Sequence, residues 1–599
     1  MKKLYTQFIS SLLPEQKRKL YFLQFFVVVS AIFEVLSVLS VGPFMALVGN
    51  INLVYDNDVI NYIYTVSRLD TPEDFLVLSG VLVLVSMFFA ALTSILTIWR
   101  LSMFAAHVGS EFGERLYIYY MQKDFLYHSG VNSSELVKKI AVEVSRVTDN
   151  ILQPAMQINA RIATIIFISI FVLLYNPLVA IAGVLILSVS YCLLFTLVKN
   201  KLARNGRLIS EFSKKRFSLM NEGFSGIKEL HLLNRQGYYI DLFKHSSKIF
   251  ARAYGESNSL YNIPRYIMEF IIYSSMIGLV ITLLAFYNDN ISSVLPVLGI
   301  FGIAAFKLLP SFQQIYSGAA QIRNNLSALE SITNDLVTAK MFYQPNGSHN
   351  GIDKLSGDVR LIGVDFIYEG KSEPALTNIN VNIPFRKTIG IVGSSGAGKS
   401  TIVDILIGAI NLKKGSLEVG NIKIDETSLP SWRYNIGYVP QTPLMVDGTI
   451  AQNIALGMAS NNIDAARLIK AIKMSQLEDW INELPLGINT FIGERGVQIS
   501  GGQRQRIAIA RALYNDAEYL FFDEATSALD SITEKNIMES ISNMAGHKTI
   551  IMIAHRLNTV SNCDLIYFFE NGRVNDHGTY NELLERNSHF KRMAGVIDA

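Results

Sequence analysis

Long apolar runs fill the first half of the chain, and short apolar runs alternating with polar helices fill the second. Residues 20–48 carry Glu34 as their only charge and residues 75–99 carry none. A helix needs about 20 such residues to cross a bilayer, so each run predicts one span. Residues 162–198 are also uncharged, but Asn176 and Pro177 interrupt them and imply two spans joined by a tight turn. Further runs follow at 268–288 and from Ile291, the last containing Lys307 and bending near Pro310. The pattern predicts a membrane domain at 20–330 with six spans, at 20–48, 75–99, 155–175, 178–198, 268–288 and 291–322. Before it, residues 1–19 place Leu4, Phe8 and Leu12 on one helical face among five basic residues, which predicts an interfacial helix halted near Pro14.

The charges between the runs set a topology, because cytoplasmic loops hold the excess of Lys and Arg. Residues 49–74 contain one basic residue, Arg68, against five acids, while 100–161 carry seven Lys/Arg and 199–269 carry thirteen. Both termini and the two long loops are therefore expected in the cytoplasm. The flanks of those loops keep helical spacing as they become polar, so the spans are expected to continue as helices beyond the bilayer, with tips near 124–132 and 225–236.

After Gln321 the chain turns polar, and residues 331–357 read as a linker containing a Pro/Gly/Asn-rich stretch. From 358 to 599 short β-type runs at 359–366, 388–392, 436–440, 519–522 and 549–554 alternate with helices, the pattern of a mixed α/β domain. Composition agrees with this division. Half of the residues are hydrophobic, only 17% are charged against roughly 25% in soluble domains, and mean hydropathy is +0.28. A net charge of +3 gives no footprint for nucleic acid. Cys192 and Cys563, the only cysteines, support neither a disulfide framework nor a zinc site. The first apolar run is too long for a cleavable signal peptide.

The chemistry begins at Gly393, Ser394, Ser395, Gly396, Ala397, Gly398, Lys399, Ser400 and Thr401, which fit G-x-x-x-x-G-K-[ST]. Such a loop cradles phosphates because glycines let backbone N–H groups curl inward. The lysine adds a point charge at the β/γ oxygens, and the hydroxyl after it ligates Mg²⁺. A buried strand before it and a helix after it supply the required context. More than a hundred residues later an apolar strand ends in Asp523 and Glu524. That position suits Asp523 to hold Mg²⁺ and Glu524 to polarise water, although either acid alone could simply cap the following helix.

Between the two lies Ser500, Gly501, Gly502, Gln503, opening a helix that runs on through Arg511 and Ala512. In that order and place the run resembles the signature of ATP-binding cassette (ABC) transporters, with Ile499 where that family usually has Leu. The resemblance implies an exporter-type half-transporter: a six-helix membrane domain followed by an α/β P-loop cassette that binds ATP and Mg²⁺ and hydrolyses ATP to drive transport. It implies that Tyr368 stacks on adenine and that Gln441 senses Mg²⁺ and the attacking water. Residues 527–530, ending in Asp530, become the loop that crosses between subunits, and His555 the γ-phosphate sensor. Since the signature completes a partner's site in this family, one cassette per chain implies a dimer, most simply a homodimer with two composite sites.

In a span, a charge signals function. Glu34, Arg265, Glu269 and Lys307 stand out, although Arg265 and Glu269, four apart, equally suit an intrahelical ion pair. A cavity holding Arg265 and Lys307 suits an anionic head group. Phe33-Glu34, a polar helix-like stretch at 56–69, Pro264-Arg265 with Glu269, and Lys307-Leu-Leu-Pro310-Ser resemble the bacterial lipid-linked oligosaccharide flippases, which have Arg at the Lys307 position. The implied substrate is a polyprenyl-diphosphate oligosaccharide moved across the inner membrane. A lipid A, phospholipid or multidrug exporter is the alternative of the same architecture, and an ATP-gated channel the alternative of another class.

Overall fold

The computed structural model describes residues 10, 12–175, 177–286, 291–342, 355–525, 530–554 and 557–594. It divides near residue 346 into a helical unit and a mixed α/β unit.

In the helical unit, α1 (Pro14–Gly49) is followed by the short α2 (Asp58–Ser67), then α3 (Pro72–Met121), α4 (Gln153–Tyr175), α5 (Pro177–Ser225), α6 (Gln236–Phe286) and α7 (Ile291–Phe342). Pro14 opens α1, because a ring without N–H costs nothing in a first turn. Of the expected interfacial helix at 1–19, residues 1–9 and 11 lie outside the described residues. Likewise α7 continues to Phe342, so the stretch read as linker from 331 starts as helix; 343–354 are not described.

Four helical stretches among the described residues are long and apolar enough to cross a membrane: Pro14–Gly49, Pro72–Met121, Ser133–Ile170 and Gly183–Ser225. The remaining two expected spans fall on α6 and α7, where most side chains from 279 to 307 lie outside the description. Along α3 the apolar Val77, Leu84, Phe88 and Ile95 share one face and are each more than 60% exposed. So extended an apolar face calls for lipid as its solvent. Inward-facing residues of α4 to α7, among them Ile168, Tyr191, Met268 and Phe312, form a buried cluster.

Where α5 crosses α7, Gly206 permits contact of backbone with backbone. A Cβ there would lie 1.7 Å from the carbonyl oxygen of Asn324, a group that cannot swing aside. Gly206→Ala is therefore expected to force the helices apart at a cost of about 3 kcal/mol, read as a lower thermal unfolding midpoint in detergent.

The α/β unit holds two sheets. A four-stranded antiparallel sheet has the order β2-β1-β4-β5, with β1 (Val359–Phe366), β2 (Leu376–Ile383), β4 (Lys414–Val419) and β5 (Ile422–Lys423). The other has the order β10-β9-β3-β8-β7-β6, with β3 (Thr388–Gly393), β6 (Ile436–Val439), β7 (Tyr519–Asp523), β8 (Thr549–Ile553), β9 (Leu565–Glu570) and β10 (Arg573–Gly578). All its neighbours are parallel except β9–β10. Every residue of β3 is buried, as a strand covered on both faces must be. After β3 comes α8 (Lys399–Leu406), whose Leu406 carbonyl accepts a 2.8 Å bond from Nε1 of the fully buried Trp432. A separate cluster built from Met445, Ile450, Leu468, Ile481 and Ile507 supports α9 (Gly501–Tyr514), and α10 (Ser531–Ser542) follows β7.

Candidate functional site: an ATP site and a charged membrane cavity

Parallel order brings the carboxyl ends of β3 and β7 to the same edge of the sheet, with β8 between them. At that edge β3 turns into the glycine loop. Gly398 caps α8 at φ +96°, where a Cβ would meet Leu376 Cδ2 at 2.7 Å, so only glycine makes this turn. Ser394, Ser395, Gly396 and Ser400 are exposed, whereas Ala397, Lys399 and Thr401 are buried. Lys399 Nζ donates to the carbonyl oxygens of Gly393 and Ser394, both at 2.9 Å, which holds the ammonium under the loop that would wrap the phosphates. Burial lowers its pKa, and the negative charges of Glu524 and Asp523 act in the opposite direction.

Asp523 ends β7 and accepts a 3.4 Å bond from the Tyr438 hydroxyl on β6. Glu524 takes a left-handed backbone, φ +49°, an uncommon conformation for a residue with a side chain and one concentrated at functional sites. Its Oε2 accepts a 2.8 Å bond from Gln441 Nε2, joining the end of β7 to the loop after β6. The structure thus brings Lys399, Gln441, Asp523 and Glu524 into one electrostatic group. Beneath them Asp404 on α8 has its pKa pushed up to about 6, first by burial and then by the charge of Asp523. Such accumulated negative charge fits a divalent cation, with the Ser400 hydroxyl, the Gln441 amide and Asp523 as its oxygen donors. Tyr368 lies beside the same helix: its hydroxyl is 3.0 Å from Thr401 Oγ1, and its ring meets Phe366 edge-on at 4.9 Å.

Two expected elements sit elsewhere in this unit. Ser500 caps α9 through a reciprocal capping box, accepting from Gln503 N at 3.2 Å while Gln503 Oε1 accepts from Ser500 N at 2.7 Å. Gly501, Gly502 and Gln503 form the first turn, and Ser500 itself is exposed. Asp530 caps α10 by accepting from Thr533 N at 3.0 Å, which lowers its pKa. His555 and residues 526–529 lie outside the described residues.

In the helical unit three of the expected charges, Glu34, Arg265 and Glu269, stand in ion pairs. Arg265 Nε donates to Glu269 Oε1 at 2.8 Å, the intrahelical ion pair that their spacing allows, with the Arg265 side chain 62% exposed. Lys307 falls within α7, but its side chain is not described. Glu34 pairs with Arg161 on α4 at 3.2 Å, and Arg161 Nε donates to Gln314 Oε1 on α7 at 2.5 Å. Sequence reasoning missed Arg161. The signal was present, a lone cation inside the span expected at 155–175 and directly before an uncharged run of 37 residues, but it entered only the count of loop charges at 100–161.

Comparison with known proteins places both units. Residues 20–306 match the model of the ABC transporter transmembrane region and residues 376–527 that of the ABC transporter. The chain is 31% identical to the heterocyst differentiation ATP-binding protein HepA of Nostoc sp. over 77% of its own length and 74% of that protein's. It is likewise 31% identical to an ATP-dependent lipid A-core flippase of Saccharophagus degradans, over 77% of each. With the lipid A-core flippase of Idiomarina loihiensis identity rises to 40%, over 39% of this chain and 40% of that one. In fold, the structure of a bacterial Atm1-family ABC exporter with ATP bound superposes with a TM-score of 0.78 at 22% identity, covering 96% of this chain and 98% of that one. The chain therefore belongs to the ABC transporter family, an exporter-type membrane region fused to an ATP-hydrolysing cassette.

Proposed function

We propose that this chain is half of an ATP-driven exporter that moves a lipid with an anionic head group across the inner membrane, working as a homodimer with two composite ATP sites. Its termini and cassette lie in the cytoplasm. In each site the amides of the glycine loop and Lys399 hold the phosphates of one ATP, and Tyr368 holds the base. Ser400, Gln441 and Asp523 hold Mg²⁺, which would neutralise charge on the transferred phosphoryl group. Glu524, oriented by Gln441, polarises the attacking water, and His555 senses the γ-phosphate. Ser500, Gly501, Gly502 and Gln503 close over the ATP of the other copy, since the opening turn of α9 offers its N–H groups and positive dipole to an anion. Asp530 lies at the crossing between copies. Closure and reopening of the cassettes drive alternating access in the membrane region.

The observation that supports a charged lipid as cargo is the presence of two ion pairs, Arg161–Glu34 and Arg265–Glu269, on helices whose flanks are apolar. A polyprenyl-diphosphate oligosaccharide suits them. The names of the Idiomarina and Saccharophagus relatives favour a second reading, a lipid A-core glycolipid. Both carry phosphate on a glycan-bearing lipid.

Flipping and ATPase stimulation in proteoliposomes, with polyprenyl-diphosphate glycans, lipid A and hydrophobic amines in parallel, separate these cargoes. Arg265→Ala combined with Lys307→Ala is expected to reduce flipping of the preferred phosphate lipid by about tenfold or more, the loss of one or two charge-assisted bonds. Undiminished flipping would remove those two residues from the cargo path. Stimulation by the amines alone would overturn the anionic cargo itself.

A further inference from the structure

The Arg161–Glu34 pair has features that a purely structural ion pair lacks. Arg161 Nη1 reaches both oxygens of Glu34, at 3.4 and 3.2 Å, and the Thr164 hydroxyl reaches one at 3.3 Å. A charge-assisted bond settles at about 2.7–2.9 Å, and an Arg–carboxylate pair usually forms a two-nitrogen fork. Here one nitrogen makes both contacts, and all hydrogen bonds to the Glu34 carboxylate are long. The other terminal nitrogen, Nη2, has no hydrogen-bond partner among the described residues and is not sealed from solvent. The guanidinium is nevertheless held in place, because its Nε is anchored on Gln314 of another helix.

Beside the pair is a cavity of about 80 Å³, lined among others by Ser30, Glu34, Thr97, Gln157, Arg161 and Gln314. A water needs about 10–15 Å³ of such volume, so the space holds several waters, or one phosphoryl group, but not a sugar ring. Its polar side chains come from α1, α3, α4 and α7, within apolar stretches where placing a charge is costly unless the charge is used. Arg161 and Glu34 keep 20% and 16% of their side-chain surface exposed, enough to be reached.

We propose that Arg161 binds the phosphate of the transported lipid and that Glu34 is its exchangeable counter-ion. The arriving phosphate takes Nη1 and Nη2 as a fork. Glu34, released from the guanidinium, accepts a hydroxyl or amide N–H of the first sugar, which lies outside the cavity. Gln314 keeps the guanidinium aimed throughout. A phosphate without an adjoining hydrogen-bond donor would leave Glu34 with only the Thr164 hydroxyl beside a second anion, so the pair selects a phosphate joined to a sugar over a bare phosphate lipid. This rests on the reading that the cargo is a phosphate-bearing glycolipid.

The test uses the full-length protein in lipid nanodiscs, titrated with a polyprenyl-diphosphate glycan, lipid A, polyprenyl phosphate and polyprenol while ATP turnover is recorded. Arg161→Ala is expected to raise the half-saturating concentration of the stimulating glycolipid by about tenfold or more, the loss of a bond to a charged group, with little change in the saturated rate. Arg161→Lys should recover part of that loss, and Glu34→Gln should narrow the preference for the glycolipid over polyprenyl phosphate. The two glycolipid arms distinguish the source of the phosphate. If Arg161→Ala responds as the unaltered protein does, or the double exchange Glu34→Arg with Arg161→Glu restores the original response, the pair is only a helix clasp and the proposal falls. Should Arg161→Ala fail to fold, Arg161→Lys and Glu34→Gln decide: unchanged affinity and preference in both overturn it. No response of the unaltered protein to any phosphate lipid would instead overturn the cargo reading on which it rests.

Discussion

Glu524→Gln is expected to cut steady-state ATP hydrolysis by about a thousandfold, within the usual contribution of a general base, while leaving ATP binding intact. The amide has the size of the carboxylate, so it can remain beside Gln441, now 2.8 Å from Glu524 Oε2, and the left-handed turn at the end of β7 need not move. What is lost is a negative acceptor beside the attacking water. Turnover of radiolabelled ATP and nucleotide affinity, measured on the same preparation, check both halves. A rate within tenfold of the unaltered protein would show that Glu524 is not the base. The same variant separates a pump from an ATP-gated pore. Flipping in proteoliposomes that continued through many turnovers with hydrolysis blocked would mean that ATP opens a path without driving transport.

The cassette could be read from sequence because its chemistry is local. Residues 393–401 need a strand before them, a helix after them and glycines between, and each requirement is written in neighbouring residues. Asp523 and Glu524 follow from one apolar strand ending in acids. The link between Gln441 and Glu524 is not local, for it depends on β6 and β7 being parallel neighbours although about eighty residues separate them, and only the motif order hinted at it. The membrane region shows the limit more plainly. Arg265 and Glu269 could be paired from their spacing, since four residues bring two side chains to one helix face. Glu34 and Arg161 are 127 positions apart, and their pairing is set by how α1 packs on α4, which periodicity does not encode. Arg161 was hidden further by continuity. The helical stretch Ser133–Ile170 passes from polar to apolar surroundings without a break, so no turn marks where the loop ends and the span begins.

Mixing two inactive variants should restore ATP hydrolysis if each site is shared between copies. Lys399→Ala removes the ammonium now held under the glycine loop on the carbonyls of Gly393 and Ser394, and is expected to weaken ATP binding by about a hundredfold, as for loss of a strong charge-assisted bond. Ser500→Arg replaces the exposed hydroxyl that caps α9, filling the face that a partner's nucleotide would meet and removing the acceptor of the Gln503 N–H. Each variant alone gives a dimer with two defective sites. A dimer with one copy of each has one doubly defective site and one site intact in both halves, because the undamaged glycine loop and the undamaged signature then face each other across the two-fold axis. Equal mixing makes about half the dimers of this mixed kind, so roughly a quarter of the original site activity is expected, provided that one intact site turns over by itself. Co-purification on two different affinity tags isolates the mixed dimer and raises the expected value to about half. A site completed within one chain would gain nothing from mixing, since each chain carries its own defect wherever its partner goes. Recovery on mixing, absent from either variant alone at equal total protein, therefore tests the homodimer and the crossed geometry in a single measurement.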